Sequence, residues 1–267
     1  AFYCIADIEA YEDNGIPLER SKKIAIGNVA DLLALGFDPK RGYIYRQSRE
    51  ERVKNLAIAF GRGVTLATMK AIYGERHMGL YLSTLIQAGD ILLPQLKDFG
   101  GPKPTVVPVG VDQDPHLRLT RDIADKFHRR YNFVLPSSTY HKLIKALDGS
   151  SKMSKRDPMS YFTLEERPEV IAKKIANAFT GGRPTAEEQR RLGANPDVCP
   201  IYDLFLFHFF EKDEDVGKLY NDECRAGKIL CGEDKSRLIR IVTDFVKEHQ
   251  RKRRQYIDKA REILRSE

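Results

Sequence analysis

Cysteine is scarce and badly spaced for covalent or metal chemistry. Cys4, Cys199, Cys224 and Cys231 form no Cys-x-x-Cys pair and have no histidine at ligand spacing. That pattern reads as reduced thiols in a cytoplasmic protein, not as a disulfide framework or a zinc module. Long apolar runs are also missing: none approaches the ~20 residues of a membrane helix, and no signal-peptide pattern is visible at the start. A membrane function is therefore set aside. Internal repeats and low-complexity segments are absent too, which sets aside repeat arrays and compositionally driven disorder.

What is present suffices for ordinary cores. The chain has 267 residues, 42% of them hydrophobic and 9% aromatic, enough for one large α/β domain or two smaller ones. A net charge of +7 permits a nucleic-acid partner without identifying one.

Taken in order, Phe2-Tyr3-Cys4-Ile5-Ala6 is a short apolar run of the kind that forms a buried parallel strand. It delivers Asp7-Ile8-Glu9 to its carboxyl end, where open α/β sheets bind ligands. Pro17 opens a helix with Leu18, Ala25, Val29, Leu32 and Leu33 on one face, stopped by Gly36. Tyr43 to Arg46 is a second strand, and Ser48 is placed to cap the helix carrying Val53, Leu56, Ala57 and Phe60. From about 62 to 99 the pattern is helical but interrupted by glycines, as in an insertion. Thr105 to Val109 is the next strand, leading into Gly110-Val111-Asp112-Gln113-Asp114-Pro115-His116, with Asp114 placed to cap the helix of Leu119, Ile123, Phe127 and Tyr131. Phe133-Val134-Leu135 is a further short strand candidate.

Strands alternating with helices of this length imply an α/β fold with a doubly wound parallel sheet. The alternation stops near residue 160. Beyond it the pattern is helical, with Ile171, Ile175 and Phe179 on one helix and Leu238, Ile241, Val242 and Phe245 on another. Ile201 to Phe210 is almost wholly apolar and reads as buried. The organisation expected is a sheet domain over residues 1–160 and a helical domain over residues 161–267.

At the joint lies Gly149-Ser150-Ser151-Lys152-Met153-Ser154-Lys155-Arg156-Asp157-Pro158. Two ammonium groups, hydroxyls and free N–H donors on a glycine-entered loop suit an anion that gains charge during reaction, such as departing pyrophosphate. A solvated basic loop is the plainer reading of any such charge run. Here, however, Lys152 to Arg156 resembles the Lys-Met-Ser-Lys-Ser signature of class I aminoacyl-tRNA synthetases, departing only at its last position. The segment Gly110 to Asp122 is more specific. Together with Ala178-Phe179-Thr180-Gly181-Gly182-Arg183 and Glu248-His249-Gln250, it is similar to the archaeal and eukaryotic tryptophanyl type, in the family's order across nearly the whole chain.

That resemblance implies a Rossmann-like catalytic domain over 1–160 with an insertion at about 62–99, and a tRNA anticodon-binding helical domain over 161–267. It implies ATP as a substrate with Mg²⁺, L-tryptophan and tRNA(Trp) as partners, and a homodimer formed through the insertion. Glu9 is then the acceptor for the indole N–H, Gln87 lies near the amino acid's polar end, and Gln113 bonds its ammonium or carboxylate. Gly110 lets the backbone approach ATP, and Asp112 contacts the ribose or supports its loop. Lys152, Ser154 and Lys155 are the expected catalytic and phosphate-binding residues, with Met153 packing near the adenine. His116 belongs to the pocket wall, and no resident metal site is expected.

Two departures stand out. Cys4 occupies a position where the eukaryotic form has glutamine. No Gly-His pair of the family's His-Ile-Gly-His-like motif occurs, and Ala1 falls at the family's second strand, so the chain is expected to begin after the first strand and to be inactive in adenylation if it truly starts there. The rival readings are a tyrosyl-tRNA synthetase and a non-catalytic tRNA-binding paralogue.

Overall fold

The computed structural model of the protein describes residues 1–151, 153–154 and 157–265. It divides into two compact units, one of Ala1–Lys142 with Arg253–Glu267, the other of Leu143–Lys252.

In the first unit, strand β1 (Phe2–Ile5) leads directly into helix α1 (Asp7–Asn14), whose first turn carries Asp7 and Glu9. Acidic side chains there meet the positive end of the helix dipole. Helix α2 (Leu18–Ala34) starts after Pro17 and buries Ala25, Val29, Ala30 and Leu33 against Ile5 and Ile44, with Ala260 and Leu264 from the end of the chain. Strand β2 (Tyr43–Arg46) pairs in parallel with β1, Phe2 opposite Tyr43. Helix α3 (Glu51–Gly61) is capped by Glu50, which accepts the Arg52 N–H, and not by Ser48. Ser48 lies too early for that cap and is taken by Asp7, to which it gives its N–H at 3.0 Å and its hydroxyl at 2.5 Å.

Helices α4 (Leu66–Tyr73) and α5 (Met78–Leu92) occupy the stretch read as an insertion. Gly89 lets α5 lie close on α3, since a Cβ there would sit 2.9 Å from the Val53 carbonyl oxygen. Phe60 is wholly buried among Leu56, Met69, Leu92, Ile123 and Phe133, a position where truncation to alanine costs about 3–5 kcal/mol.

Strand β3 (Val106–Gly110), helices α6 (Asp114–Lys126) and α7 (His128–Tyr131), and strand β4 (Ser137–His141) complete the unit; β3 and β4 pair in parallel from Val106 opposite Ser137. The strand expected at Phe133 to Leu135 is not there. Gln95 takes both backbone groups of Val134, at 2.7 and 2.8 Å, so no ladder forms until after Pro136. Among the described residues the parallel pairing comes as two separate two-stranded sheets, not one continuous sheet.

The second unit is helical: α8 (Pro168–Asn177), α9 (Ala186–Leu192), α10 (Pro200–Leu204), α11 (Asp213–Gly217) and α12 (Cys231–Ile263), whose residues from Arg253 group with the first unit. Ile171, Ile175, Ile201, Leu204, Phe205, Leu219, Leu238 and Val242 form its core. Phe179, Phe207 and Phe245 are exposed, against expectation. Helix α8 stops before Phe179, and Phe205–Phe209 winds as a π-helix, whose wider turn breaks the 3.6-residue spacing that would keep Phe207 inward. Among the described residues no helix is long and apolar enough to cross a membrane.

Candidate active site

A cleft of about 270 Å³ opens in the first unit, at the carboxyl ends of β1 and β3. Glu9 reaches it from the first turn of α1, Gln87 and Thr84 from α5, and Gln113 and His116 from the turn and helix after β3; Tyr73 and Arg76 close another side. The three residues expected to hold an amino acid, Glu9, Gln87 and Gln113, therefore line one cleft. Gln87 donates its amide N–H to Gln113 Oε1 at 3.1 Å, which ties the two glutamines together. His116 Nδ1 and the Tyr73 hydroxyl are 3.1 Å apart, and burial lowers the imidazole's pKa, so a neutral ring is favoured in the wall.

Glu9 is a half-buried carboxyl of this cleft and not an ordinary solvated carboxylate. Burial first, then the nearby Asp90 and Asp13 charges, push it up to about 7, while a hydrogen bond from Gln47 pulls it back. Gln47 is wholly buried and gives its amide N–H groups to Glu9 Oε1 and Asp90 Oδ2, both at 2.6 Å. The Tyr45 hydroxyl donates to Asp90 Oδ1 at 2.7 Å. Burial pushes Asp90 up to about 6, and it also drives the Cys4 thiol far upward, so Cys4 is a neutral neighbour of Asp90. Cys4, Tyr45 and Asp90 line a second cleft, of about 450 Å³, between β1 and β3. Cys4 thus lies at the Asp90 end of the network that reaches Glu9.

Gln47 and Asp90 are the site residues that sequence reasoning missed. The signal for Gln47 was available: it follows β2 as Glu9 follows β1, a polar side chain just past a strand's carboxyl end. Asp90 sits inside an otherwise apolar helical run, where its burial depends on partners distant in sequence.

The remaining expected residues are placed as follows. Gly110 ends β3 with an ordinary φ of −70°, and Asp112 is exposed in the single turn Val111–Gln113. Asp114 does not cap α6 but stands within its first turn, accepting from the Tyr140 hydroxyl at 2.7 Å and pairing with Arg118 at 2.6 Å. In the second unit, Gly149 takes a φ of +88°, a conformation that glycine adopts without strain. The buried Ser160 holds the described part of the lysine loop. Its hydroxyl accepts the Ser154 N–H at 3.1 Å and donates to the Asp157 and Ser154 carbonyls at 2.7 and 3.1 Å. Met153 and Ser154 are exposed, and Lys152, Lys155 and Arg156 lie outside the described residues. On α12, Arg251 pairs with Glu248 at 2.7 Å, Lys252 approaches the same carboxylate at 3.6 Å, and Arg253 pairs with Asp31 at 2.8 Å.

Residues 1–247 match the profile of the family described as tRNA synthetases class I (W and Y). The chain is 44% identical to the tryptophan–tRNA ligase of Hyperthermus butylicus, over 98% of this chain and 71% of that one. It is 38% identical to that of Archaeoglobus fulgidus, over 94% of this chain and 74% of that one. A crystal structure of tryptophanyl-tRNA synthetase from Aeropyrum pernix superposes with a TM-score of 0.93 at 44% identity, covering 98% of this chain and 72% of that chain.

Proposed function

The chain belongs to the class I tRNA synthetases for tryptophan and tyrosine, and on that premise we propose that it activates L-tryptophan with ATP and transfers it to tRNA(Trp). The observation that carries the reading is the convergence of Glu9, Gln87 and Gln113 on one cleft at the strand ends. The tryptophan side chain offers a single N–H on a large flat body, and a half-buried carboxylate, when ionised, is a strong acceptor for it. The naming of relatives at 38–46% identity as tryptophan–tRNA ligases favours tryptophan over tyrosine.

In the first step a carboxylate oxygen of tryptophan attacks the α-phosphorus of ATP. The bond to the bridging oxygen breaks, and pyrophosphate leaves with the electron pair. A ribose hydroxyl of the tRNA terminus then attacks the acyl carbon, and AMP departs. Neither step needs a protein nucleophile, so catalysis reduces to positioning and charge. Gln87 and Gln113 orient the polar end of tryptophan. Gly110 and Asp112 serve the nucleotide, Met153 packs by the adenine, and Lys152, Ser154 and Lys155 take the phosphates. Mg²⁺ enters with the ATP phosphates as part of the substrate. Among the described residues no group of three side chains could hold a metal ion of its own.

The helical part of the chain serves the anticodon arm, with the Lys247 to Arg254 stretch facing phosphate. Ile58, Leu66, Ile72, Met78 and Leu82 are exposed on or beside the insertion helices, which supports a homodimer through that face. A cytoplasmic location accords with four free thiols.

Amino-acid-dependent exchange of pyrophosphate into ATP, measured on the full-length enzyme with the family's His-Ile-Gly-His-like segment in place, tests the reading. Tryptophan is expected to support exchange and tyrosine not, and Glu9→Gln to weaken tryptophan use by about 1.5–3 kcal/mol. Equal exchange with tyrosine would sink the assignment; tRNA binding without exchange for either amino acid would point to a non-catalytic paralogue.

A further inference from the structure

We infer that Phe179 is a positioning residue for the lysine loop: its half-exposed ring fills the space beside Gly149 where a side chain would stand, and so sets the direction in which the chain enters the loop. The role presupposes that the loop takes the ATP phosphates, as proposed for this chain.

Core packing does not explain Phe179, which is 45% exposed just past a helix whose Ile171 and Ile175 are wholly buried. Helix α8 ends at Asn177, and Ala178 turns extended, with φ −62° and ψ 149°. That exit brings the next residue to Leu147, whose carbonyl accepts the Phe179 N–H at 2.6 Å. Leu147 belongs to the core of the second unit, and it gives its own N–H to the Ser160 carbonyl at 2.8 Å. The backbone is thus tied on both sides two residues before Gly149. At Gly149, where φ is +88°, a Cβ would stand 2.7 Å from Phe179 Cδ1 and 2.8 Å from Cγ. Those distances fall well inside the ~3.5–4.0 Å at which carbon atoms rest, so only glycine lets the ring lie there. The turn under the ring closes on itself. The Gly149 N–H reaches the Ala146 carbonyl and the Ala146 N–H reaches the Ser150 carbonyl, both at 2.9 Å.

The consequence is directional. Glycine reaches more backbone states than any other residue, so a bare glycine at the entrance would let the loop point several ways. The ring removes the states in which the Gly149 backbone would swing across it. Ser160 holds the far end of the described loop, and Phe179 holds the near end. Ordering a loop before the reaction leaves less to be ordered during it, which is how positioning contributes to rate. Little stability is at stake, because a half-solvated ring loses little burial when it is removed. The effect should therefore fall on the chemistry of the loop and not on the fold.

The test is single-turnover adenylate formation by the full-length enzyme, beside tryptophan affinity and thermal denaturation. Phe179→Ala is expected to lower the rate roughly tenfold, within the ~10²-fold that a small misplacement can cost, and to spare tryptophan affinity and the denaturation temperature. Phe179→Tyr keeps the ring and should restore most of the rate. Gly149→Ala should slow the otherwise wild-type enzyme by a larger factor than it slows Phe179→Ala. In the double variant the colliding ring is gone, while the strain of φ +88° remains. Equal fold-losses from Gly149→Ala in the two backgrounds would overturn the role, as would a wild-type rate in Phe179→Ala. Equal losses in Phe179→Ala and Phe179→Tyr would overturn it too, and so would a rate loss matched by lost tryptophan affinity or by unfolding. Should Gly149→Ala not fold, the two Phe179 variants decide alone. Lys152→Ala separates the premise from the role. A wild-type rate there removes the loop from the chemistry, whereas a slow Lys152→Ala beside a normal Phe179→Ala sinks only the part given to the ring.

Discussion

Replacing Ser160 with alanine asks whether one buried hydroxyl holds the lysine loop in working order. Ser160 is only 1% exposed, so water cannot stand in for the lost group. The hydroxyl has one hydrogen, shared between the Asp157 and Ser154 carbonyls, and it accepts the Ser154 N–H. Removing it deletes about two net hydrogen bonds at ~0.5–1.5 kcal/mol each, or roughly 1–3 kcal/mol. The Leu147 N–H bonds the Ser160 carbonyl at 2.8 Å, a backbone contact that the substitution leaves intact, so the fold around the loop should persist. If the productive loop conformation bears the loss, adenylate formation should slow by about 5- to 150-fold. The assay is single-turnover adenylate formation, with tryptophan affinity and thermal denaturation measured separately. A wild-type rate would refute the reasoning, and so would a loss of tryptophan affinity as large as the loss in rate.

Three other outcomes are expected. If Lys152 and Lys155 take the ATP phosphates as proposed, Lys152→Ala and Lys155→Ala should each lower the adenylation rate of the full-length enzyme by about 10²–10³ while sparing tryptophan affinity, because such ammonium groups meet more charge in the transition state than in bound ATP; single-turnover kinetics would check it. Neutralising Arg251, Lys252 and Arg254 together should weaken tRNA binding and flatten its dependence on salt while adenylation is unchanged, as read from binding titrations at several ionic strengths. Asp203→Asn strands the largely buried Lys145, which reaches Asp203 at 2.9 and 3.1 Å, and should cost about 3–5 kcal/mol in denaturant unfolding.

The parts of the fold legible in the sequence were those written in local pattern. Phe2 to Ile5 and Tyr43 to Arg46 were bounded apolar runs and are strands; Pro17 and Gly36 bracket α2 as their backbone preferences dictate. The misses share a cause. Phe133 to Leu135 has the composition of a strand, but Gln95, far along the chain, claims the backbone of Val134. Ser48 has the chemistry of a cap, but Asp7 takes it, and the carboxylate of Glu50 caps in its place. In each case a buried polar side chain distant in sequence outbid a local preference, and periodicity carries no record of such a partner.

The candidate site shows the same division more sharply. Glu9, Gln87 and Gln113 could be picked out because each is a polar residue at an informative place in the chain. What makes Glu9 useful could not, because its charge depends on Gln47 and Asp90, neither adjacent to it. Half-burying two carboxylates side by side opposes ionisation of both, and donors from β2 and the residue after it reach each one in compensation. A carboxyl held this near its neutral form is poised: a ligand N–H arriving at Glu9 supplies a donor that favours the anion. Binding at neutral pH should therefore release a fraction of a proton, because the ligand lowers the pKa of a group that starts at about 7. Calorimetric titration of tryptophan in buffers of different ionisation enthalpy measures that release directly. Equal heats in all buffers would mean that Glu9 is already fully ionised, or never is, and the account of the site as a pre-strained acceptor would fail.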